Sequence, residues 1–207
     1  MTGKRKALRV GALALCCGLL AALVCDIASA QGTSTVPVFD VVPVASSIKF
    51  SVKASVGILG TFDKWEAKMT FASPDVTTAR LVIKIQAASV NTGSGMKDNK
   101  LKGKDFFYVD QNPEITFVSN KVVQTGPASF EVDGDFTIRG VTKPEKLLLT
   151  VAGKGTGEGR IEGTMAFDRK DYGMNKGIPF IKIADRVEVT VDLKATQFAG
   201  PRLVYKE

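Results

Sequence analysis

TGSGMKDNKLKGKDFFYVDQNPEITFVS, Thr92 to Ser119, and FEVDGDFTIRGVTKPEKLLL, Phe130 to Leu149, carry the reading of the whole chain. The first stretch opens on glycine and polar residues, gathers Leu101, Phe106 and Phe107, and passes Pro113 into an alternating run. Asp98 is a competent N-cap, so the spacing predicts one short helix over Asp98–Val109 with those three residues as its apolar contribution. In the second stretch Phe130, Val132, Gly134, Phe136 and Ile138 share one face and charged or hydroxyl residues the other. That period of two belongs to a half-buried antiparallel strand.

Working outward, the same grammar repeats in Ile48-Phe50-Val52-Ala54, Trp65-Ala67-Met69-Phe71, Leu81-Ile83-Ile85, Ile115-Phe117, Leu147-Leu149-Val151, Ile161-Gly163-Met165-Phe167 and Val187-Val189-Val191-Leu193. With the Phe130 strand that makes eight. Turn residues join most of them: Ser73-Pro74-Asp75, Gly126-Pro127, Gly140 and the run Gly153–Gly159. The expectation is an all-β, antiparallel domain with one short helical segment. Periodicity alone leaves a sandwich and a barrel equally open.

The first thirty residues read as a secretory leader. Lys4, Arg5, Lys6 and Arg9 precede an apolar run from Val10 to Val24, and Ala28-Ser29-Ala30 supplies small residues for cleavage before Gln31. A retained anchor fits less well, because the run is short for a span of about 20 residues and ends at Asp26. Val24 ahead of Cys25 argues against a lipoprotein signal. Removing residues 1–30 leaves one domain, 31–207, of 177 residues with 24 basic and 20 acidic side chains, a net charge of +4 against +7 for the whole chain. Cys16, Cys17 and Cys25 all fall inside the leader and the chain has no histidine. The mature domain is therefore expected to lack disulfides, thiol nucleophiles, histidine-dependent triads and imidazole or thiolate metal and haem sites.

Few residues carry candidate chemistry. The run Gly153-Lys154-Gly155-Thr156-Gly157-Glu158-Gly159 lacks the Gly-Lys-Ser/Thr ending of a phosphate loop and sits between strands, so it reads as a hairpin. Asp168, Asp171 and Asp185 read as strand-end acids, since paired catalytic carboxylates need a defined separation that spacing does not supply. Lys97, Lys100, Lys102 and Lys104 gather around the predicted helix, with Arg139 and Lys143 on another turn. They are either a solvated face or a receptor for an anionic head group. Elsewhere basic and acidic residues alternate along the strands, without the basic clusters among exposed aromatics that nucleic-acid binding wants.

The chain resembles the YceI-like family of bacterial lipocalin-like proteins. Lys97, Asp98, Leu101, Asp105, Phe106, Phe107, Pro113, Phe117 and Ser119 fall on that family's characteristic run, and Gly134 and Thr137 to Pro144 on its G-x-L-T-I-R-G-V-T-K-P continuation. The likeness spans about Phe39 to Thr196. It implies an eight-stranded lipocalin-like β-barrel, periplasmic and non-enzymatic, that carries a polyprenyl, quinone-like or other long-chain lipid without a cofactor. The interior it implies as ligand-binding comprises Phe50, Val52, Trp65, Met69, Phe71, Ile83, Ile85, Phe106, Phe107, Phe117, Phe136, Ile138, Met165, Phe167 and Val189. Head-group candidates are Lys97, Lys100 and Arg139.

A second branch of the family is similar in F-S-V-K-A-S (Phe50–Ser55), in Gly60, Thr61, Phe62 and Trp65, and in Arg169, Asp171, Tyr172 and Gly173. Like that branch, this chain lacks the histidines that some relatives carry near the positions of Ala54 and Lys100. The branch includes proteins associated with membrane b-type cytochromes, which implies a transient membrane or cytochrome contact. Asn175 to Ile183 departs from its usual sequence, so the ligand mouth differs. The oligomeric state is open, a dimer included. The rival class is an envelope interaction protein whose barrel is filled by its own side chains.

Overall fold

The computed structural model describes residues 34–55, 57–177 and 182–207, so the leader expected over 1–30 lies outside the described residues. The strands are β1 (Val38–Val41), β2 (Ser47–Ala54), β3 (Ile58–Phe62), β4 (Trp65–Phe71), β5 (Ala79–Gln86), β6 (Val90–Asn91), β7 (Glu114–Gln124), β8 (Ser129–Ile138), β9 (Val141–Ala152), β10 (Glu158–Asp168) and β11 (Ile183–Ala199). All their pairings are antiparallel, in the order β4-β5-β7-β8-β9-β10-β11-β2-β3-β6, with β1 beside β11. The sheet curls over one apolar core, which confirms the all-β, antiparallel expectation.

The strand count is eleven among the described residues, not eight. The additional strands are β1, β3 and β6, and each continues a neighbour across a break. β1 and β2 run along successive parts of β11, separated by a 3-10 turn at Pro43–Ala45. Only Asp63 and Lys64 separate β3 from β4, and the turn Ala87–Ser89 separates β5 from β6. Ser89 ties the last two breaks together: its hydroxyl donates to Gln86 O at 2.7 Å and accepts from Lys64 N at 3.0 Å. The two ends of the hydrogen-bonded order, β4 and β6, are thus joined through the chain to β3 and β5. Joined across their breaks, the eleven make eight bent strands.

Alternation places the core as expected. In β8 Phe130, Val132, Gly134, Phe136 and Ile138 are buried, and in β10 so are Ile161, Gly163, Met165 and Phe167. Each large side chain removed from water contributes about 1.5–3 kcal/mol. Where two rows of such side chains meet, glycine makes the room. A Cβ on Gly134 would stand 2.6 Å from Phe117 Cζ and 2.7 Å from Val118 O.

The helix differs from the expectation. α1 spans Gly95–Lys102 with Ser94 as N-cap, and Asp98 lies inside it. The Asp98 carboxylate reaches back instead, accepting from Thr92 N at 2.8 Å and Thr92 Oγ1 at 2.7 Å. Gly103 ends the helix with an extended backbone, and turns carry the chain on to Phe107. These turns still bury Phe106 and Phe107, which is why their apolar character looked helical.

Gly134→Ala should lower the unfolding free energy by about 1–3 kcal/mol, because the backbone carbonyl of Val118 cannot rotate away as a side chain can. Gly159→Ala, whose added carbon meets nothing nearer than 3.6 Å, should leave the urea midpoint close to wild type. Equal midpoints for the two variants would remove the close approach of Phe117 from this account.

Candidate functional site

Following each inward row along its strand gives three layers. At one end Phe71, Leu81, Val132, Leu149, Ile161 and Leu193 line a cavity of about 80 Å³. At the other, beneath α1, Phe50, Phe62, Phe107, Phe136, Phe167 and Val187 line one of about 60 Å³. Between them lie Ile83 on β5, Phe117 on β7, Leu147 on β9, Met165 on β10 and Val191 on β11, buried residues that line neither cavity. Each cavity is well below the roughly 300–1,000 Å³ of a typical small-molecule pocket.

The residues expected inside divide among these layers. Phe50, Val52, Ile85, Phe106, Phe107, Phe136, Ile138, Phe167 and Val189 face the helix-end cavity, and Met69 and Phe71 the other. Ile83, Phe117 and Met165 belong to the middle layer, and half-buried Trp65 packs beside it.

The helix end is closed by buried side chains. Leu101, Phe106 and Phe107 cover the cavity. Beside them Arg169 is 6% exposed, and every nitrogen of its guanidinium is engaged. Nε donates to Ala184 O at 3.2 Å, Nη1 to Lys176 O at 2.8 Å and to Met174 O, and Nη2 pairs with Asp185 at 3.0 Å. Tyr172 is fully buried against Phe136 and Phe167, and its hydroxyl donates to Glu145 Oε1 at 2.8 Å. Burial, then the Glu145 carboxylate, pushes the Tyr172 phenol far above its ordinary range. Apart from likeness to relatives, nothing in the sequence marked Arg169 as interior, because a charged residue at a strand end reads as solvated.

All three head-group candidates sit at this end. Lys100 Nζ pairs with Asp105 at 2.7 Å, and that hydrogen bond holds the Asp105 carboxyl below the usual range. Arg139 and Gly140, with φ of 54° and 72°, form the tight turn from β8 to β9. Arg139 Nη2 donates to Lys104 O at 3.0 Å, while its Nε is buried without a partner among the described residues. Lys97 has no ion-pair partner among the described residues.

A strap over Gly200–Glu207 covers the opposite end. Val204 N donates to Pro74 O at 2.8 Å and Val76 N to Val204 O at 3.1 Å. Gln124 exchanges two 2.8 Å bonds with the Lys206 backbone, and the half-buried Tyr205 ring lies 6.2 Å from Phe130. The glycine run is here, a hairpin between β9 and β10 in which Gly153, Gly155 and Gly157 have positive φ. The three strand-end acids all hold structural partners. Asp168 caps Lys170 N, Asp171 pairs with Lys143, and Asp185 pairs with Lys170 and Arg169. No metal-ligand cluster occurs among the described residues.

Hydrogen bonds from Lys100 and from Lys170 hold Asp105 and Asp185 below their ordinary range. A carboxyl depressed in the fold stabilises it above the unfolded value, about 3.9, and loses that contribution as pH falls through the folded value. Urea stability should therefore decline as pH is lowered from about 5 toward 3, and Asp105→Asn with Asp185→Asn should flatten the decline. An unchanged slope in the double variant would count against these pairs.

Comparison with known proteins agrees with this geometry. A family profile for the YceI-like domain matches residues 39–195. A UPF0312 protein of Ectopseudomonas mendocina (strain ymp) is 29% identical over 130 residues, 58% of this chain and 66% of the relative. A UPF0312 protein of Pseudomonas syringae pv. tomato is 31% identical over 122 residues, 56% of this chain and 64% of that one. The match thus spans just under two thirds of these relatives' length. Among solved structures, Burkholderia cenocepacia BcnA superposes with a TM-score of 0.69 at 26% identity, covering 76% of this chain and all of that one. A polyisoprenoid binding domain from Saccharophagus degradans, implicated in plant cell wall breakdown, gives 0.62 at 15% identity over 78% of this chain and 99% of its own, a likeness of fold.

Proposed function

Because the chain belongs to the YceI-like domain family, we propose that it is a non-enzymatic carrier whose lipocalin-like barrel takes up the apolar tail of an isoprenoid, polyprenyl or quinone-like, or of another long-chain lipid. The observation that carries this reading is the unbroken apolar interior. Two cavities walled almost wholly by hydrocarbon lie on one axis, and the layer between them includes Met165, whose flexible thioether can change rotamer without exposing a polar group. The fold shared with the polyisoprenoid binding domain supports the choice of ligand class. Burial contributes about 0.8 kcal/mol per methylene-sized group, so a five-carbon isoprene unit supplies roughly 3–4 kcal/mol before ordering costs. A head group paired with rim lysines adds about 0–1 kcal/mol. Tail length should outweigh head charge.

Phe50→Asp or Phe136→Asp should abolish uptake of a polyprenyl phosphate, since an unpaired charge is then buried in the cavity, while Lys49→Glu on the outer face should not. Native mass spectrometry and calorimetry across a chain-length series read the outcome. Affinity should rise with each isoprene unit until the interior is full and change little with salt. A steep loss with salt and no dependence on tail length would move the site to the lysines.

The modest cavities favour a second reading, an envelope interaction protein whose barrel its own side chains fill. Protein that carries no lipid after purification and takes none up would decide for it. Contact with a membrane b-type cytochrome fits either reading.

We place the protein in the periplasm, delivered by a leader cleaved after Ala30. Intact-mass analysis of periplasmic material should show a chain that starts at Gln31. A mass that retains Cys16, Cys17 or Cys25 would overturn the assignment.

A further inference from the structure

The helix-end rim gathers lysines without ion-pair partners among the described residues. Lys97, Lys102 and Lys104 on and after α1, Lys176 after the Arg169 turn, and Lys53 and Lys182 at the adjoining ends of β2 and β11 have no ion-pair partner among the described residues. Of the acids at this end, Asp105 is paired with Lys100, Asp171 with Lys143 and Asp185 with Arg169 and Lys170, while Asp98 and Asp63 keep their charge and bond only to neutral groups, Asp98 to Thr92 and Asp63 to Asn91 and Thr61. Asp110 and Glu114 have neither an ion pair nor a hydrogen bond through their side chains among the described residues.

Two large apolar side chains stand out beside these lysines, Met96 at 85% exposed and Leu59 at 71%. Leu59 shares one surface groove with Asn91–Gly93, the residues leading into α1, and another with Lys53, Gly57 and Arg186. Immediately beneath, Ile58, Leu101 and Phe107 line the helix-end cavity.

Unpaired lysines around exposed apolar tips are the chemistry that engages an anionic lipid surface, with the ammonium groups at the headgroups and the tips below them. We propose that the rim formed by α1, the Leu59 edge and Lys104, Lys176 and Lys182 is a docking face for an anionic membrane. The strap end carries fewer free cations: Lys154 is spent on Pro127 O and the Tyr205 ring and Lys194 on Glu158, which leaves Arg202 and Lys206 beside the exposed Phe198 and Val204. Docking is independent of what the cavities hold and sets the helix-end cavity against the bilayer.

Co-sedimentation with mixed vesicles of phosphatidylglycerol in a threefold excess of phosphatidylcholine tests the face. Binding is expected at low salt, weakened at high salt and absent from pure phosphatidylcholine. Lys97→Gln and Lys104→Gln should each lower partitioning about fivefold, and Leu59→Asp with Met96→Asp should lower it further. Arg202→Glu with Lys206→Glu, at the strap end, should leave it unchanged. Phe136 lines the helix-end cavity but neither Leu59 groove, so Phe136→Asp should bind vesicles as the wild type does, which separates this inference from the carrier reading. No binding to the anionic vesicles, equal binding to neutral ones, or equal loss from rim and strap variants would overturn it.

Discussion

Large side chains from facing strands compete for the interior of the curled sheet, and glycines decide how they share it. The Phe50 ring lies across Gly60, where an added Cβ would stand 2.4 Å from its Cζ, and the Phe117 ring lies across Gly134. Gly163 has Val191, Leu149 and Leu147 within 3.2 Å of where its Cβ would be. Each glycine admits a neighbour's side chain over its own strand. The middle layer can then close across the barrel and divide a single apolar interior into two cavities. Cavity size, the separation of the two ends and the room open to a tail all depend on that layer.

Alternation made most of the fold legible, because a period of two assigns faces wherever a strand is long enough to show it. β8 and β10, with 10 and 11 residues, were plain. β6, with only Val90 and Asn91, shows no period, and it is a strand because Phe62 and Thr61 pair with it across the bend that Ser89 ties. β1 and β3 are short pieces of the same kind. The helix start was misplaced because Asp98 and Ser94 are both competent caps, and only the fold shows Asp98 turned back onto Thr92.

The wall of the site was legible for the same reason, and its division was not. Face assignment says that Phe136 and Phe117 point inward, but even their direct pairing across β7 and β8 does not say which of them borders a cavity. Phe136 borders a cavity and Phe117 fills the layer between cavities, although each is buried and apolar. Arg169 fails differently. Composition assigns a guanidinium to solvent, and only the three carbonyls and one carboxylate converging on it show that its charge can be buried.

These features make the two ends physically unlike. At the strap end, closure rests on backbone and amide hydrogen bonds near the surface, made by Val76, Gln124, Gln197, Val204 and Lys206, and on the Tyr205 ring against Phe130 and Lys154. Water can replace such hydrogen bonds at little net cost. At the helix end, opening must expose Phe106 and Phe107, 4% and 7% exposed, and disturb the turn that the Lys100–Asp105 pair joins back to α1. Exposed apolar area is lost stabilisation in water but not against lipid tails, which are as apolar as the cavity wall. The helix end is therefore the costlier one to open in solution and the one whose cost a bilayer would remove. The end closed by buried aromatic side chains is also the end ringed by unpaired lysines.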